Sequence, residues 1–170
     1  MLRIFNTLKP FFEDNYIRIG VREYARLMKI SPPSASKTLN ELQKENLLNK
    51  EKDRRYIYYS ANRENYFFIT LMRAYQYYKL SKIGLIEYLT KELINPIIIL
   101  FGSSAKAEVS SKSDIDIAIF TVSKKELNLK KFQSILKRDI QIFMFKSPDE
   151  AVNKNLLNNI YNGFILGGDF

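Results

Sequence analysis

Two aspartates separated by a single residue are the strongest candidates for chemistry in this sequence. Asp114 and Asp116 open an apolar run, and in a strand both carboxylates would share one face while Ile115, Ile117 and Ile119 occupy the other. Carboxylates held side by side repel each other unless a cation lies between them. Because the chain has no histidine and no cysteine, oxygen ligands remain, and they favour Mg²⁺ or a similar ion such as Mn²⁺.

A glycine-serine turn precedes the aspartates. Residues 97–101 form a short, isoleucine-rich run that stops at Gly102, which predicts a buried strand. Gly102 permits a sharp turn, and Ser103, Ser104 and Lys106 could open a helix whose free N–H groups face an anion. An anion site that faces a carboxylate-bound metal suits a nucleoside triphosphate.

The Gly-Ser pair, the ten-residue gap and the Asp-x-Asp pattern resemble the signature of the minimal nucleotidyltransferases of the DNA polymerase beta superfamily. The similarity covers roughly residues 82–170. It implies that Gly102 and Ser103 contact the nucleotide phosphates, with Ser104 and Lys106 beside them. It also implies that Asp114 and Asp116 hold the catalytic metals.

The sequence departs from that family at two places. Lys106 and Ala107 stand where the family often has arginine and glycine. Active members carry a third carboxylate on the next strand, predicted here at residues 138–145, and the matching position between two isoleucines is Gln141. Asp139, two residues earlier on the same face, is the alternative third metal ligand. The sequence thus leaves open an active transferase and a sensor that binds nucleotide without catalysis.

Basic charge is concentrated in the first half of the chain. The net charge is +9; residues 1–95 hold 17 Lys and Arg against 10 Asp and Glu, and residues 96–170 hold 10 against 8. This asymmetry predicts a polyanionic partner for the first half. No apolar run approaches the roughly 18 residues of a membrane-spanning helix, and charged residues interrupt the N-terminus. We therefore expect a cytoplasmic protein with no membrane partner.

Residues 1–62 carry the periodicity and turn signals of a helix-turn-helix followed by a β-hairpin. Helices are predicted at 2–12, 21–28 and 32–45, with a short strand at 15–20. Ser31 followed by Pro32 is a strong start signal for the third helix. Two further strands, joined by a charged turn, are predicted at 48–50 and 56–60. This order resembles the winged-helix domains of bacterial and archaeal regulators and implies double-stranded DNA as a partner.

The winged-helix resemblance implies that the third helix enters the major groove by its N-terminal half. Glu41 is unfavourable on that face, and a protein-interaction module is the alternative. The residues expected to contact DNA are Ser34, Ser36, Lys37, Thr38 and Lys44 on the helix and Lys52, Arg54 and Arg55 in the wing.

The predicted fold class is α+β, with an N-terminal winged helix (1–62) followed by a small α/β domain of nucleotidyltransferase type with a short mixed sheet (82–170). Residues 63–81 are predicted to form a helix. It either links the two domains or forms the interface of a homodimer. In the second domain, helices are predicted at 85–93, 127–136 and from 147 to 162, and a last strand at 164–166. Short nucleotidyltransferases also resemble antitoxins that modify a partner toxin protein, which is the alternative function.

Overall fold

The computed structural model describes residues 3–150 and 153–169. Leu2, predicted to begin the first helix, and Phe170, the end of the predicted second domain, lie outside the described residues. The chain forms two compact units. The N-terminal unit contains Met1–Met72 and Ala107–Ser111, and the C-terminal unit contains Arg73–Lys106 and Lys112–Phe170.

Three helices and a small antiparallel sheet build the N-terminal unit. The helices are α1 (Arg3–Glu13), α2 (Val21–Met28) and α3 (Pro32–Lys44), and the strands are β1 (Ile19–Gly20), β2 (Leu48–Asp53) and β3 (Tyr56–Ala61), in the order β1-β3-β2. The side chain of Ser31 caps α3 by accepting a hydrogen bond from the Ser34 amide at 3.4 Å, as predicted. β1 is shorter than the predicted strand at 15–20, because the backbone N–H of Asn15 donates to the Val109 carbonyl and does not pair with a neighbouring strand.

Aromatic side chains fill the core of the N-terminal unit. Phe11 stacks on Tyr24 with ring centroids 6.2 Å apart, and Phe12 lies 5.3 Å from Phe68. Phe68 belongs to α4 (Tyr66–Lys82), the helix that corresponds to the predicted linker. α4 begins in the N-terminal unit and ends in the C-terminal unit.

The C-terminal unit is a four-stranded mixed sheet with helices. Its strands are β4 (Ile97–Phe101), β5 (Ile115–Phe120), β6 (Ile140–Phe145) and β7 (Phe164–Gly167), in the order β6-β5-β4-β7. β4 pairs antiparallel with β5 and with β7, whereas β5 and β6 pair in parallel. The helices are α5 (Leu85–Glu92), α6 (Ser103–Lys106), α7 (Lys130–Leu136) and α8 (Lys154–Tyr161). The α+β class and the short mixed sheet are therefore confirmed.

The two faces of β5 differ as the alternation predicts. Ile115, Ile117 and Ile119 pack in one cluster with buried side chains of α5 and α7. Ala118 and Phe120 pack on the opposite side with Ile160 of α8. Asp116 shares that second face, because side chains alternate along a strand.

The helix predicted to start at 147 begins later. Pro148–Glu150 form a single 3-10 turn, and α8 starts at Lys154. The Asn153 side chain caps α8 by accepting hydrogen bonds from the Asn155 and Leu156 amides at 3.0 and 3.2 Å. Asparagine is as good an N-cap as serine, so a second start signal outweighs the Ser147-Pro148 pair.

Across residues 3–150 and 153–169, no helix is both long enough and apolar enough to cross a membrane.

Candidate functional site

Strand register brings the predicted catalytic residues together. Asp116 on β5 lies opposite Phe101, the last residue of β4, and opposite Gln141 on β6. Gly102 directly follows β4, and Asp114 directly precedes β5. The Gly-Ser turn and the Asp-x-Asp pair therefore meet at one edge of the sheet.

Gly102 is required by the shape of this edge. Its φ is +67°, and a Cβ added at this position would collide with Oδ2 of Asp116. A glycine thus lets the turn lie directly against the carboxylate. Any larger residue would displace either the turn or Asp116.

The other predicted nucleotide contacts differ in exposure. Ser103 is half-buried at the start of α6, which is a single turn. Ser104 is only 2% exposed, so its hydroxyl does not face solvent. Lys106 is exposed, and its Nζ donates a hydrogen bond to Oδ1 of Asn159 at 2.7 Å. Ser103 and Lys106 are therefore the side chains accessible to a phosphate.

Electrostatics favour a cation beside the aspartates. Burial raises the pKa of Asp116, and the nearby charge of Asp114 raises it further. Both effects mean that the ionised pair is unfavourable without a compensating positive charge. The Nε2 of Gln141 donates a hydrogen bond to Oδ2 of Asp114 at 2.6 Å and supplies part of that compensation.

Asp139 does not join the pair. It is exposed, and its Oδ1 accepts a hydrogen bond from Nε2 of Gln133 on α7 at 3.2 Å. Among the described residues, no group of three or more acidic side chains is placed to hold a metal ion. The structure therefore gathers two carboxylates and one amide, and the metal role predicted for Asp139 has no support from this geometry.

The donor set still fits a hard divalent cation. Asp114 and Asp116 offer carboxylate oxygens, and Gln141 offers an amide oxygen once its donor group turns away. Mg²⁺ prefers oxygen ligands and is commonly held by one or two carboxylates together with substrate phosphates. Asp114 and Asp116, of which Asp116 has a raised pKa, therefore suit such an ion.

Two arginines that sequence reasoning missed hold the ends of the connection between α6 and β5. Nε of Arg73 donates to the Ala105 carbonyl at 2.8 Å, and Nη1 of Arg138 donates to the Ser113 carbonyl at 2.9 Å. Both partners are distant in sequence, and no local pattern marks either arginine. They fix the backbone on the two sides of the carboxylate edge.

Most of the residues predicted to bind DNA are exposed on the N-terminal unit. Those exposed on α3 or on the β2–β3 hairpin are Ser34, Lys37, Lys44, Lys52, Arg54 and Arg55. Asp53 pairs with Tyr56, so Arg54 and Arg55 form the two-residue tip of the hairpin, and Arg54 has a φ of 54°. The tip therefore presents two adjacent guanidinium groups.

Ser36 and Thr38 are less available. Both are half-buried, and Thr38 lines a cavity of about 710 Å³ within the N-terminal unit. The Ser36 carbonyl accepts a hydrogen bond from Nδ2 of Asn40 at 2.9 Å. The exposed lysines of α3 are therefore better placed to meet a polyanion than either hydroxyl.

Asn40 links α3 to the hairpin, which the sequence did not reveal. Its Oδ1 accepts hydrogen bonds from Nζ of Lys50 at 2.9 Å and from the hydroxyl of Tyr59 at 3.0 Å. One amide therefore ties the helix to both strands and holds the lysines of α3 and the hairpin in one arrangement.

Arg18 offsets the acidic residues of β2. Its Nη2 lies 3.2 Å from Oε1 of Glu51 and 3.8 Å from Oδ2 of Asp53. The hairpin consequently presents a positive rather than a mixed charge at its tip.

Comparison with known proteins finds one similarity, in the second half of the chain. No curated protein sequence matches the chain. Residues 83–162 match the family model described as Polymerase beta, Nucleotidyltransferase. The matched segment runs from before α5 to the end of α8 and contains Gly102, Asp114, Asp116 and Gln141. The similarity to a nucleotidyltransferase domain therefore covers residues 83–162 and the predicted site residues within them.

Proposed function

We propose that the C-terminal unit binds the divalent-metal complex of a nucleoside triphosphate and transfers its nucleotidyl group, and that the N-terminal unit binds double-stranded DNA. The observation that carries the first part is the placement of Asp116 against the Gly102 turn, with Asp114 beside it, inside the matched domain. A glycine turn that lies directly against two neighbouring carboxylates suits a metal-bound triphosphate.

Each side chain has a distinct role in this proposal. Asp114 and Asp116 would hold Mg²⁺ or Mn²⁺, which when bound supplies the positive charge that phosphoryl transfer requires. Gly102 gives the phosphates room to approach the backbone, and Lys106 adds a cation near them. The chain thereby orients the α-phosphate for attack by an acceptor hydroxyl.

The transfer itself exchanges one phosphorus–oxygen bond for another. A bond forms between the acceptor oxygen and the α-phosphorus, and the bond from that phosphorus to the bridging oxygen breaks, so that pyrophosphate leaves with the electron pair. Gln141 stands beside Asp116 and cannot accept the proton of the acceptor hydroxyl, because its amide is not basic. In this proposal the proton passes to solvent, because no third carboxylate stands at that position, and we expect slow turnover.

A nucleotide sensor without transfer is the second candidate. The 2.6 Å hydrogen bond from Gln141 to Asp114 favours it, because the amide satisfies the carboxylate where a third acid would add charge. Such a domain would still bind nucleotide and metal through Asp114 and Asp116.

DNA binding is supported by the arrangement of cations in the N-terminal unit. Its order of three helices and a hairpin is typical of winged helices, and α3 and the hairpin tip both present exposed basic residues. A duplex probe should be retarded in a gel shift at low salt. If the parent protein leaves the probe unshifted, this half of the proposal fails.

A homodimer through α4 is part of the same proposal. Tyr66 and Phe67, in the first turn of α4, are 86% and 59% exposed, which is unusual for such large aromatic side chains. Sedimentation velocity should show a dimer for the parent protein and a monomer for Phe67→Ser. A monomeric parent protein would contradict the proposed homodimer.

Transfer is tested with nucleoside triphosphates labelled at the α-phosphate. The parent protein is incubated with Mg²⁺ and each labelled triphosphate, alone and with cell extract, and the products are separated into protein, nucleic acid and small molecules. We expect label on an acceptor, and we expect Asp114→Ala to abolish it.

The class of labelled product decides among the alternatives. Label on a small partner protein would favour the antitoxin-type activity, and label on nucleic acid or a small molecule would exclude it. Binding that requires Asp114 without any transfer would establish the sensor. Absence of both would contradict the proposed function.

A further inference from the structure

One short segment of the chain belongs to a different unit from its neighbours. Residues 107–111 pack with the N-terminal unit, whereas Lys106 before them and Lys112 after them belong to the C-terminal unit. This segment is the centre of the connection between α6 and β5. It therefore joins the Gly102 turn to Asp114, the two halves of the candidate nucleotide site.

Asn15 holds this segment at its centre. The backbone N–H of Asn15 donates to the Val109 carbonyl at 2.7 Å. In return, the backbone N–H of Val109 donates to the side-chain Oδ1 of Asn15, also at 2.7 Å. Nδ2 of Asn15 donates to the Phe11 carbonyl of α1, also at 2.7 Å. Asn15 is 2% exposed, so water cannot readily replace these bonds.

Residues 107–111 contain two buried side chains and one residue in a strained conformation. Val109 is 1% exposed and Ala107 is fully buried. Ala107 also has a φ of 56°, a left-handed conformation that residues with a side chain rarely adopt. Such a conformation persists only where the surrounding structure enforces it. Ala107 directly follows α6, and the pairing with Asn15 fixes the chain two residues further on, at Val109.

We propose that Asn15 is a positioning residue for the nucleotide site, although it belongs to the other unit. By holding residues 107–111, it sets the path of the chain from the Gly102 turn to Asp114. The inference rests on the proposed nucleotide binding. Nucleotide affinity then depends on the fraction of molecules in which residues 107–111 are paired with Asn15.

Asn15→Ala removes the bonds made by the side chain, and Asn62→Ala is its matched control. Asn62 also belongs to the N-terminal unit, and its Nδ2 donates to the Asn46 carbonyl at 2.9 Å and to Oδ1 of Asn46 at 3.1 Å, a partner outside residues 107–111. Both variants lose side-chain hydrogen bonds in the same unit. If Asn15→Ala does not fold, Val109→Gly replaces it, because it removes the buried side chain from the segment itself.

The first readout is hydrogen exchange of the full chain without ligand. The Ala105 amide, bonded to the Gly102 carbonyl, and the Ile115 amide, bonded to the Asp139 carbonyl, lie on either side of the segment and do not contact Asn15. Asn15→Ala should accelerate the exchange of both by about fivefold or more, since local opening raises exchange. Asn62→Ala should leave them unchanged.

The second readout is calorimetric titration with MgCl₂ and, in turn, ATP, GTP, CTP and UTP. Asn15→Ala should weaken the affinity for whichever triphosphate the parent binds by about tenfold, and Asn62→Ala by less than about twofold. Equal effects of the two variants would overturn the inference, because a general loss of stability would then explain both. If the parent binds no triphosphate, the proposed function fails, and exchange at Ala105 and Ile115 alone decides whether Asn15 positions the site.

Discussion

The two units carry their candidate functions in opposite ways. In the N-terminal unit, long cationic side chains such as Lys37 and Arg55 are exposed on a helix and on a hairpin tip. In the C-terminal unit, two short carboxylates are fixed by strand register, and burial raises the pKa of one of them. Exposed cations act through screened charge and contribute in small, separate steps. The carboxylates act together, so loss of one should disable the site.

Asp116→Asn should produce the largest effect. The side chain keeps its shape but loses the charge that holds the metal, so affinity for a magnesium nucleoside triphosphate should fall by more than the roughly 10–100-fold that loss of an outer metal contact costs. Calorimetric titration measures this loss of affinity. Asp139→Asn is the control and should change the affinity little; if it matches Asp116→Asn, Asp139 is a metal ligand after all.

Gly102→Ala should be the next most damaging change, and Gly84→Ala is its matched control. Both glycines have positive φ, but an added Cβ meets Asp116 at Gly102 and nothing within 4 Å at Gly84. The left-handed conformation alone costs about 1–2 kcal/mol, and each kcal/mol lowers Tm by roughly 2–4 °C. Thermal melting should therefore show a loss in both variants and a larger one in Gly102→Ala, which alone should lose nucleotide binding. Equal losses would mean that Asp116 does not crowd the turn.

Replacing Lys37, Arg54 and Arg55 with alanine should have a graded effect on duplex binding. Each lost phosphate contact should reduce the slope of log affinity against log salt by about 0.9. The control replaces three exposed lysines of the C-terminal unit, Lys124, Lys130 and Lys131, and removes the same charge. Gel shifts over a salt series measure both slopes. A similar reduction in the two triple variants would indicate general charge attraction rather than a DNA-binding face.

The smallest predicted effect concerns Tyr24 in the core of the N-terminal unit. Burial raises the pKa of Tyr24 from its ordinary 10.0 to about 12. Between these values the unfolded phenol loses its proton while the folded one keeps it, so the free energy of unfolding should fall as pH rises from 10.0 to 12.

Tyr24→Phe should flatten this pH dependence in urea unfolding. It should also cost about 1 kcal/mol at neutral pH, because the Tyr24 hydroxyl donates to the Thr7 carbonyl at 2.8 Å. Tyr56→Phe is the control, since Tyr56 is 69% exposed. An unchanged slope in Tyr24→Phe would assign the alkaline sensitivity to other groups.

Local signals predicted most of the fold. The start of α3 follows from Ser31 and Pro32, whose effect is confined to one helical turn. The two faces of β5 follow from the alternation of aspartates and isoleucines, and the bend after β4 follows from Gly102. In each case the deciding atoms lie within a few residues of one another.

Long-range contacts could not be predicted in the same way. The bond from Gln141 to Asp114 depends on the register of β5 against β6, and the pairing of Asn15 with Val109 joins residues that are 94 positions apart. The predicted start of α8 was wrong for a different reason: Asn153 and Ser147 are both good N-caps, and the local sequence does not rank them.

The most direct test of the central claim is the rate of pyrophosphate release in the parent protein, Gln141→Asp and Asp116→Asn. The assay uses Mg²⁺, the triphosphate that binds best and the acceptor found by labelling. Gln141→Asp places a third carboxylate beside Asp114 and Asp116 and adds a group that can accept a proton. We predict slow release by the parent, faster release by Gln141→Asp and none by Asp116→Asn. No release by any of the three, with nucleotide bound, would contradict a transferase site at this edge of the sheet.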